Sequence, residues 1–438
     1  MFKVLTLFLG LAACTTSPAA DLLSIYREAQ TADAVYAAAR AGYLASQEKL
    51  PQGLSGLLPA VTLSANTQYN NRDLQFRGAA TSTSRFNSNT VNVTATQPLF
   101  RMQNWITYEQ AKNQVSQAEA AFLQANQDLI LRVSQGYFDA LLSENNVTLA
   151  AAQKAAFAEQ LAQAKRNFEV GTATITDAND AQARHDLAVS QEIAAQNDLE
   201  IKKQALRQII GRLPLALAKL SSRFAPVLPA PNSMDAWVEQ AMASSLQVRI
   251  AQATLDIASQ DVTKNRGGHL PTLDAVASYA DTGQGAGILG GAGFDSTTKY
   301  IGLQLAVPLY QGGLTNSKVR EALANQEKAR QDFENTKRTV ALNSRSAFLS
   351  VTNGVAQIKA LEAALVSSQS SVDSTKLGQE VGVRTQVDVL NATQQLISAR
   401  RDYAQAIYSY AINVLKLKAA TGTLAEDDLA YVNQWLEK

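Results

Sequence analysis

The chain has 438 residues, a formal net charge of +1 and 18% charged residues, which is below the roughly 25% usual in soluble proteins. So small a net charge excludes the basic field that a nucleic-acid-binding protein needs. One cysteine and two histidines leave too few side chains for a structural zinc site, a disulfide scaffold or a Cys/His catalytic pair, so we expect no metal and no cofactor.

An export signal is predicted for residues 1–20. Lys3 is followed by an apolar run over residues 4–13, which is too short to span a membrane, and then by small residues. Two processing routes stay open. The four residues that end at Cys14 look like a lipobox, which would make Cys14 a lipidated N-terminus, whereas ordinary cleavage near Ala20 would discard it. We favour ordinary cleavage, because a helical pattern begins within a few residues.

The first half of the chain changes its periodicity twice. An alanine-rich helix is predicted for residues 22–50 and is expected to end at Pro51. Apolar and polar residues then alternate, which predicts strands at 58–69 and 88–99 on either side of a polar loop. Long helical patterns without proline follow as far as Arg212.

The second half repeats this order. Strands are predicted at 271–281 and 299–309, and six glycines between Gly283 and Gly293 favour a flexible loop. Long helical patterns follow these strands as well.

The helical patterns are unusually long. The pattern from Trp105 to Val170 covers 66 residues, or about 100 Å at 1.5 Å per residue. Apolar residues recur every three or four positions, as at Val115, Ala118 and Phe122. This spacing predicts a packing seam between helices rather than a cofactor site.

Prolines mark the changes of periodicity. One proline stands at the same end of each predicted strand, and the four are Pro59, Pro98, Pro271 and Pro308. Because proline ends helical hydrogen bonding and fixes φ, we interpret them as switch points between helix and strand.

An internal duplication is predicted from a constant offset of 211 in residue number. Gly171 and Gly382 share that offset, and so do the residue pairs Thr174/Thr385 and Asp177/Asp388. The offset predicts a first repeat at 21–212, a linker at 213–233, a second repeat at 234–422 and a C-terminal segment at 423–438. The simpler interpretation of each aspartate is a plain helix start, where the helix dipole favours a carboxylate.

Each predicted strand has about the 9–11 residues and the alternation of a strand that crosses a bilayer. One face is apolar, as at Val61 and Leu63, and the other is polar, as at Thr62 and Ser64, which suits a water-filled lumen. Four strands leave two open edges, which lipid does not tolerate, so other copies must close the barrel. Two copies would give a barrel of eight strands and three copies a barrel of twelve. The alternative to a membrane barrel is that the strands form a soluble β-hairpin on a helical protein.

Several motifs together resemble the TolC family of outer-membrane channels. They lie at residues 268–274, 308–313, 381–390 and 399–429, and the likeness covers essentially the whole chain after the signal. The resemblance implies a mixed α/β membrane protein: a homotrimer whose four strands per chain form a 12-stranded outer-membrane β-barrel, continued by a long periplasmic α-helical barrel.

The resemblance also implies a function. A periplasmic adaptor (membrane fusion) protein and an inner-membrane exporter of the RND, ABC or MFS type would recruit and open the channel. Drugs, small toxic molecules or type I secreted proteins would then leave across the periplasm and the outer membrane.

The family's gate contacts fall on six residues near the two corners. They are Gln160, Thr176, Asp177, Lys376, Gln379 and Arg384. Asp177 with Arg384 keeps the expected bridge between neighbouring helices, and exposed bridges on the order of 0–1 kcal/mol suit a latch that must open. Lys376 and Gln379 depart from the family, which has an acidic residue and a tyrosine there, so we expect a looser or differently made inner latch.

The family also has acidic rings at the entrance. Asp388 matches one ring position, but Asn391 stands where an aspartate is expected. Asp180 occupies the equivalent position of the first repeat, so we expect Asp180 and Asp388 to give six carboxylates in a trimer. Such a ring favours cations and can bind metal ions as blockers. The alternative is that Asp180 is an ordinary solvated residue.

Three other functions account for less of the sequence. A passive porin-like channel would leave the long helices unexplained, and a trimeric coiled-coil surface scaffold would not need bilayer-length strands. An enzyme is disfavoured because neither His185 nor His269 has a nucleophile or metal-ligand partner in the sequence.

Overall fold

The computed structural model describes residues 20–75, 77–78, 80–214, 216–221, 224–286 and 291–437. The predicted signal apart from Ala20, including Cys14, lies outside these residues, so both processing routes stay predictions. Contacts divide the chain into two compact units. We call Met1–Ala38, Gln124–Ser245 and Val340–Lys438 the helical unit, and Ala39–Leu123 with Leu246–Thr339 the sheet unit. Each unit takes segments from both predicted repeats.

The helices are numbered in chain order. They are α1 (Leu22–Ala32), α2 (Ala34–Gln47), α3 (Lys49–Ser55), α4 (Met102–Glu169), α5 (Ile175–Ile210), α6 (Met234–Ser244), α7 (Leu246–Arg266), α8 (Leu314–Glu380), α9 (Gln386–Ala420) and α10 (Glu426–Asn433). The helices α4 and α8, with 68 and 67 residues, confirm the long predicted patterns. Among the described residues, no helix is both long enough and apolar enough to cross a bilayer.

The single helix predicted for residues 22–50 is wrong, because the segment folds as α1, α2 and α3. The first break falls at Asp33, whose carboxylate turns inward to a guanidinium. The predicted break at Pro51 is also wrong. Pro51 lies in the first turn of α3, where a missing N–H costs no helical hydrogen bond.

The strands of the sheet unit are β1 (Ala60–Leu74), β2 (Ser82–Phe100), β3 (Thr272–Ala286) and β4 (Ala292–Ala306). Within the described residues they form one antiparallel sheet in the order β1-β2-β3-β4. All four predicted strands exist.

Their predicted ends are wrong, because the ladders run further toward the hairpin turns. Residues 70–74 pair with residues 82–86, so most of the polar loop expected there is strand. The strands predicted at 271–281 and 299–309 are β3, which continues to Ala286, and β4, which begins at Ala292 and stops at Ala306. Polar cross-strand contacts also hold these residues, such as the hydrogen bond from Asn70 Nδ2 to Ser88 Oγ at 2.8 Å. Because strand formation depends on cross-strand pairing, the strand preferences of single residues did not predict these strand ends.

The four prolines lie near the same end of the four strands. Pro59 and Pro271 directly precede β1 and β3, and Pro308 follows the end of β4. Pro98 differs from the prediction, since it lies inside β2, where the pairing with β3 shifts register before Phe100. A bulge tolerates a residue without an N–H, so the strand passes through this proline.

The two faces of the sheet differ in polarity. One row pairs Leu63, Val93 and Tyr279 across three strands. The opposite face pairs Thr62 with Thr94 and Thr94 with Ser278. The apolar face is uncovered in this chain, with Ile301 86% and Val61 70% exposed.

The core of the helical unit is built around α1, α4 and α9. Its largest fully buried side chains include Tyr26, Tyr137 and Phe138. The Tyr137 hydroxyl donates to the carbonyl oxygens of Ala218, at 2.7 Å, and of Ala20, at 3.2 Å. These bonds fasten the linker and the first described residue to α4.

Candidate functional site

The two predicted corners lie in the helical unit, between α4 and α5 and between α8 and α9. Each begins with a glycine in the left-handed region, Gly171 at φ +77° and Gly382 at φ +80°. At the first corner the Thr172 N–H donates to the Asn167 carbonyl at 2.8 Å. At the second the Val383 N–H donates to the Gly378 carbonyl, also at 2.8 Å. Both are helix ends closed by a glycine in the manner of a Schellman motif.

The helix that follows each corner begins with the same reciprocal cap. The hydroxyl of Thr174 accepts from the Asp177 N–H at 3.2 Å, and the Thr174 N–H donates to Asp177 Oδ2 at 3.0 Å. Thr385 and Asp388 make the equivalent bonds at 3.2 and 2.9 Å. The simple interpretation of these aspartates as residues that begin a helix is therefore correct. The cap uses only Oδ2 of each aspartate, so Oδ1 can still accept another hydrogen bond.

The cap also affects titration. Because the backbone N–H and hydroxyl of Thr385 both donate to it, the pKa of the Asp388 carboxyl lies below its usual value. The carboxylate at this corner therefore stays charged over the physiological pH range.

Of the six predicted gate residues, Asp177 and Arg384 lie one on each corner. No ion pair joins them within the described part of this chain, and the Arg384 side chain makes no hydrogen bond or ion pair there. The stem of Arg384 rests on Gly378, where an added Cβ would come within 2.7 Å of its Cγ. Thr176 and Lys376 are exposed.

The two remaining residues of the predicted gate belong to a buried polar contact between helices. Gln379 Nε2 donates to Gln386 Oε1, and Gln386 Nε2 donates to the Gln160 carbonyl oxygen at 3.5 Å. Gln160 Nε2 in turn donates to Thr393 Oγ1 at 3.4 Å. We call Gln160, Gln379, Gln386 and Thr393 the amide seam.

Sequence reasoning assigned Gln160 and Gln379 but missed Gln386 and Thr393. A signal was present, because Gln386 and Thr393 share one face of α9 with the fully buried Leu390, at positions i, i+7 and i+4. Polar residues on an apolar stripe point to a buried partner.

The predicted entrance-ring residues have different surroundings. Asp180 is exposed and makes no side-chain hydrogen bond or ion pair within the residues that the structure describes. Asn391 accepts a hydrogen bond from Arg184 Nη2 at 2.7 Å, which ties α5 to α9. An amide oxygen at position 391 therefore has a structural role that needs no charge.

The structure places one of the two histidines beside a carboxylate. His185 Nδ1 lies 3.2 Å from the exposed carboxylate of its neighbour Asp186. Across the described residues, no three His, Cys, Asp or Glu side chains are grouped as metal ligands.

Comparisons with known proteins agree on one family. The family model described as outer membrane efflux protein matches residues 25–212 and 237–423. The chain is 33% identical over 442 residues to the outer membrane protein TolC of Vibrio cholerae, covering 100% of this chain and 99% of that protein. It is 30% identical to the proteases secretion protein PrtF of Dickeya chrysanthemi, covering 99% and 95%.

A solved structure shows the same fold. The Campylobacter jejuni CmeC outer membrane channel superposes with a TM-score of 0.79 at 17% identity, covering 95% of this chain and 90% of that one.

Proposed function

Because the chain belongs to the outer membrane efflux protein family, it is an outer-membrane channel of efflux and type I secretion and not an enzyme, and we propose that three copies form one such channel. Its location is the outer membrane, from which it extends into the periplasm.

The observation that carries the trimer is the sheet. In the described part of the chain, β1 and β4 are edge strands with exposed apolar side chains at Val61 and Ile301. Lipid supplies no hydrogen bonds to an open edge, so the sheet needs the edges of other copies. Twelve strands from three copies leave room for a wet channel, which eight barely do.

The internal duplication is supported by two findings. The family model matches the chain in two consecutive segments, and the two corners share their hydrogen bonds to within about 0.1 Å. We propose that the corners together form the periplasmic entrance, with six in a trimer.

The proposed latch uses the groups that the corners leave free. Asp177 uses only Oδ2 in its cap, and Arg384 makes no hydrogen bond or ion pair within the described residues, although its positive charge helps to lower the pKa of Asp388. A bridge from Arg384 of one protomer to Asp177 Oδ1 of its neighbour would use both. Docking of a periplasmic adaptor and an inner-membrane exporter would break it. The relative named as a proteases secretion protein supports secreted proteins as one class of cargo. Small toxic molecules are the other class that we propose.

Planar-bilayer recordings of the purified trimer test this proposal. Arg384→Ala is expected to raise the closed-state conductance, and Asp177→Asn is expected to do the same while keeping an acceptor for the cap. Unchanged conductance in both variants would remove the latch assignment. In cells, deletion should abolish drug resistance without changing nutrient uptake, whereas a porin-like channel would give the opposite result. Absence of heat-modifiable trimers from outer-membrane fractions would contradict the channel itself.

A further inference from the structure

The amide seam joins three helices of one protomer through uncharged groups. Gln379 lies on α8, Gln160 on α4, and Gln386 with Thr393 on α9. Side chains of Gln160, Gln386 and Thr393 are only 7%, 8% and 7% exposed. A buried amide that loses its partner pays its full desolvation cost, so moving α9 away from α4 has to overcome these bonds.

Further contacts between α4 and α9 flank the seam. On one side Gln153 Nε2 donates to Gln394 Oε1 at 2.7 Å. Beside it, Leu390 belongs to a small buried apolar cluster with Phe157 and Leu161 of α4. The seam therefore lies where α4 and α9 are already in close contact, and it is the polar part of that contact.

The seam is also incompletely satisfied. Gln160 Oε1 is buried and has no hydrogen-bond partner among the described residues, and two of the seam's bonds are long, at 3.4 and 3.5 Å. Long bonds and a missing partner lower the stability of this arrangement. Such a contact stabilises the packing of the helices only moderately, so the helices can still separate.

The charged groups nearby hold other positions. Asp177 and Asp388 cap their own helices, and Arg184 is bound to Asn391. Among the described residues, the hydrogen bonds at the seam therefore involve no formal charge.

We infer that Gln386 and Thr393 are positioning residues of the entrance latch, because the amide seam within each protomer holds α9 against α4 in the closed channel. This inference rests on the proposed function and deepens it, since it adds an uncharged intrachain latch to the proposed charged one. Gln379 stands where the family has a tyrosine, and its bond to Gln386 gives that replacement a partner within the same hairpin.

The test compares purified trimers in planar bilayers. Gln386→Ala removes both bonds of that amide, and Thr393→Val removes the hydroxyl while keeping the side-chain shape. Each is expected to raise the open probability about 5-fold to 10-fold, which corresponds to about 1.0–1.4 kcal/mol. Gln395→Ala is the matched control, because Gln395 is exposed on the same helix and should behave as wild type.

Salt separates the seam from a charged latch. Ion pairs weaken at high salt, whereas amide hydrogen bonds do not, so the ratio of variant to wild-type open probability should be the same at 0.1 and 1 M KCl. A ratio that falls toward one at 1 M, or wild-type behaviour of both variants, would overturn the inference. If wild-type protein forms no channel at all, the proposed function fails instead.

Discussion

Arg132→Met is expected to destabilise the helical unit strongly, because it leaves a buried carboxylate without its counter-charge. Asp33 separates α1 from α2 and is 3% exposed. Arg132 donates through Nη1 to Asp33 Oδ2 at 2.8 Å and through Nη2 to Oδ1 at 2.9 Å. The Tyr36 N–H donates to the same Oδ1 at 2.6 Å. In the variant the backbone hydrogen bonds to this carboxylate remain, but its counter-charge is gone.

The two partners of this pair are not equivalent. Removing Arg132 strands a buried charge, which costs about 3–5 kcal/mol. Asp33→Asn removes the charge but keeps an acceptor for Tyr36, and the side chain of Arg132, 35% exposed, can still reach water. That variant should cost about 1–3 kcal/mol. Arg330→Met is the matched control, because its pair with Glu327 is exposed and contributes about 1 kcal/mol or less.

The assay is guanidinium unfolding of detergent-purified protein, followed by circular dichroism at several pH values. The Arg132 hydrogen bonds hold the pKa of Asp33 below its ordinary value. The stabilisation is therefore complete above the unfolded pKa of about 3.9 and is lost as the pH falls through the lower folded pKa. The gap between wild type and Arg132→Met should close in that window. Equal stability of the Arg132→Met and Arg330→Met variants at pH 7 would refute the reasoning.

Three further predictions follow from the corners. Thr174→Ala and Thr385→Ala should each lower the free energy of unfolding by about 1 kcal/mol, and clearly unequal losses would contradict the equivalence of the two caps. Gly382→Ala should cost about 1–2 kcal/mol because an L side chain is strained at φ +80°, and a neutral result in thermal unfolding would contradict that conformation. Asp180→Asn should weaken cation selectivity, measured as the reversal potential in a KCl gradient, and unchanged selectivity would discard Asp180 as a ring residue.

Much of the fold was predictable because its signals are local. Alternation around Val61 and Leu63 located β1, and the Gly-Xaa-Xaa-Thr corners located the ends of α4 and α8. The strand ends were not predictable in this way, since residues 70–74 are too polar to indicate a strand without the pairing partner at 82–86. The break at Asp33 was harder to predict, because its carboxylate is held by a guanidinium 99 residues further along the chain as well as by the nearby Tyr36 N–H.

The same distinction between local and long-range contacts applies to the candidate site. Reciprocal caps need only residues three apart, so the sequence by itself determined both corners and the charges that they carry. The amide seam joins Gln160 to residues more than 220 positions later, and only helix packing brings them together. Short-range hydrogen bonding is encoded in neighbouring residues, whereas the partner of a buried amide is decided by which helix faces meet.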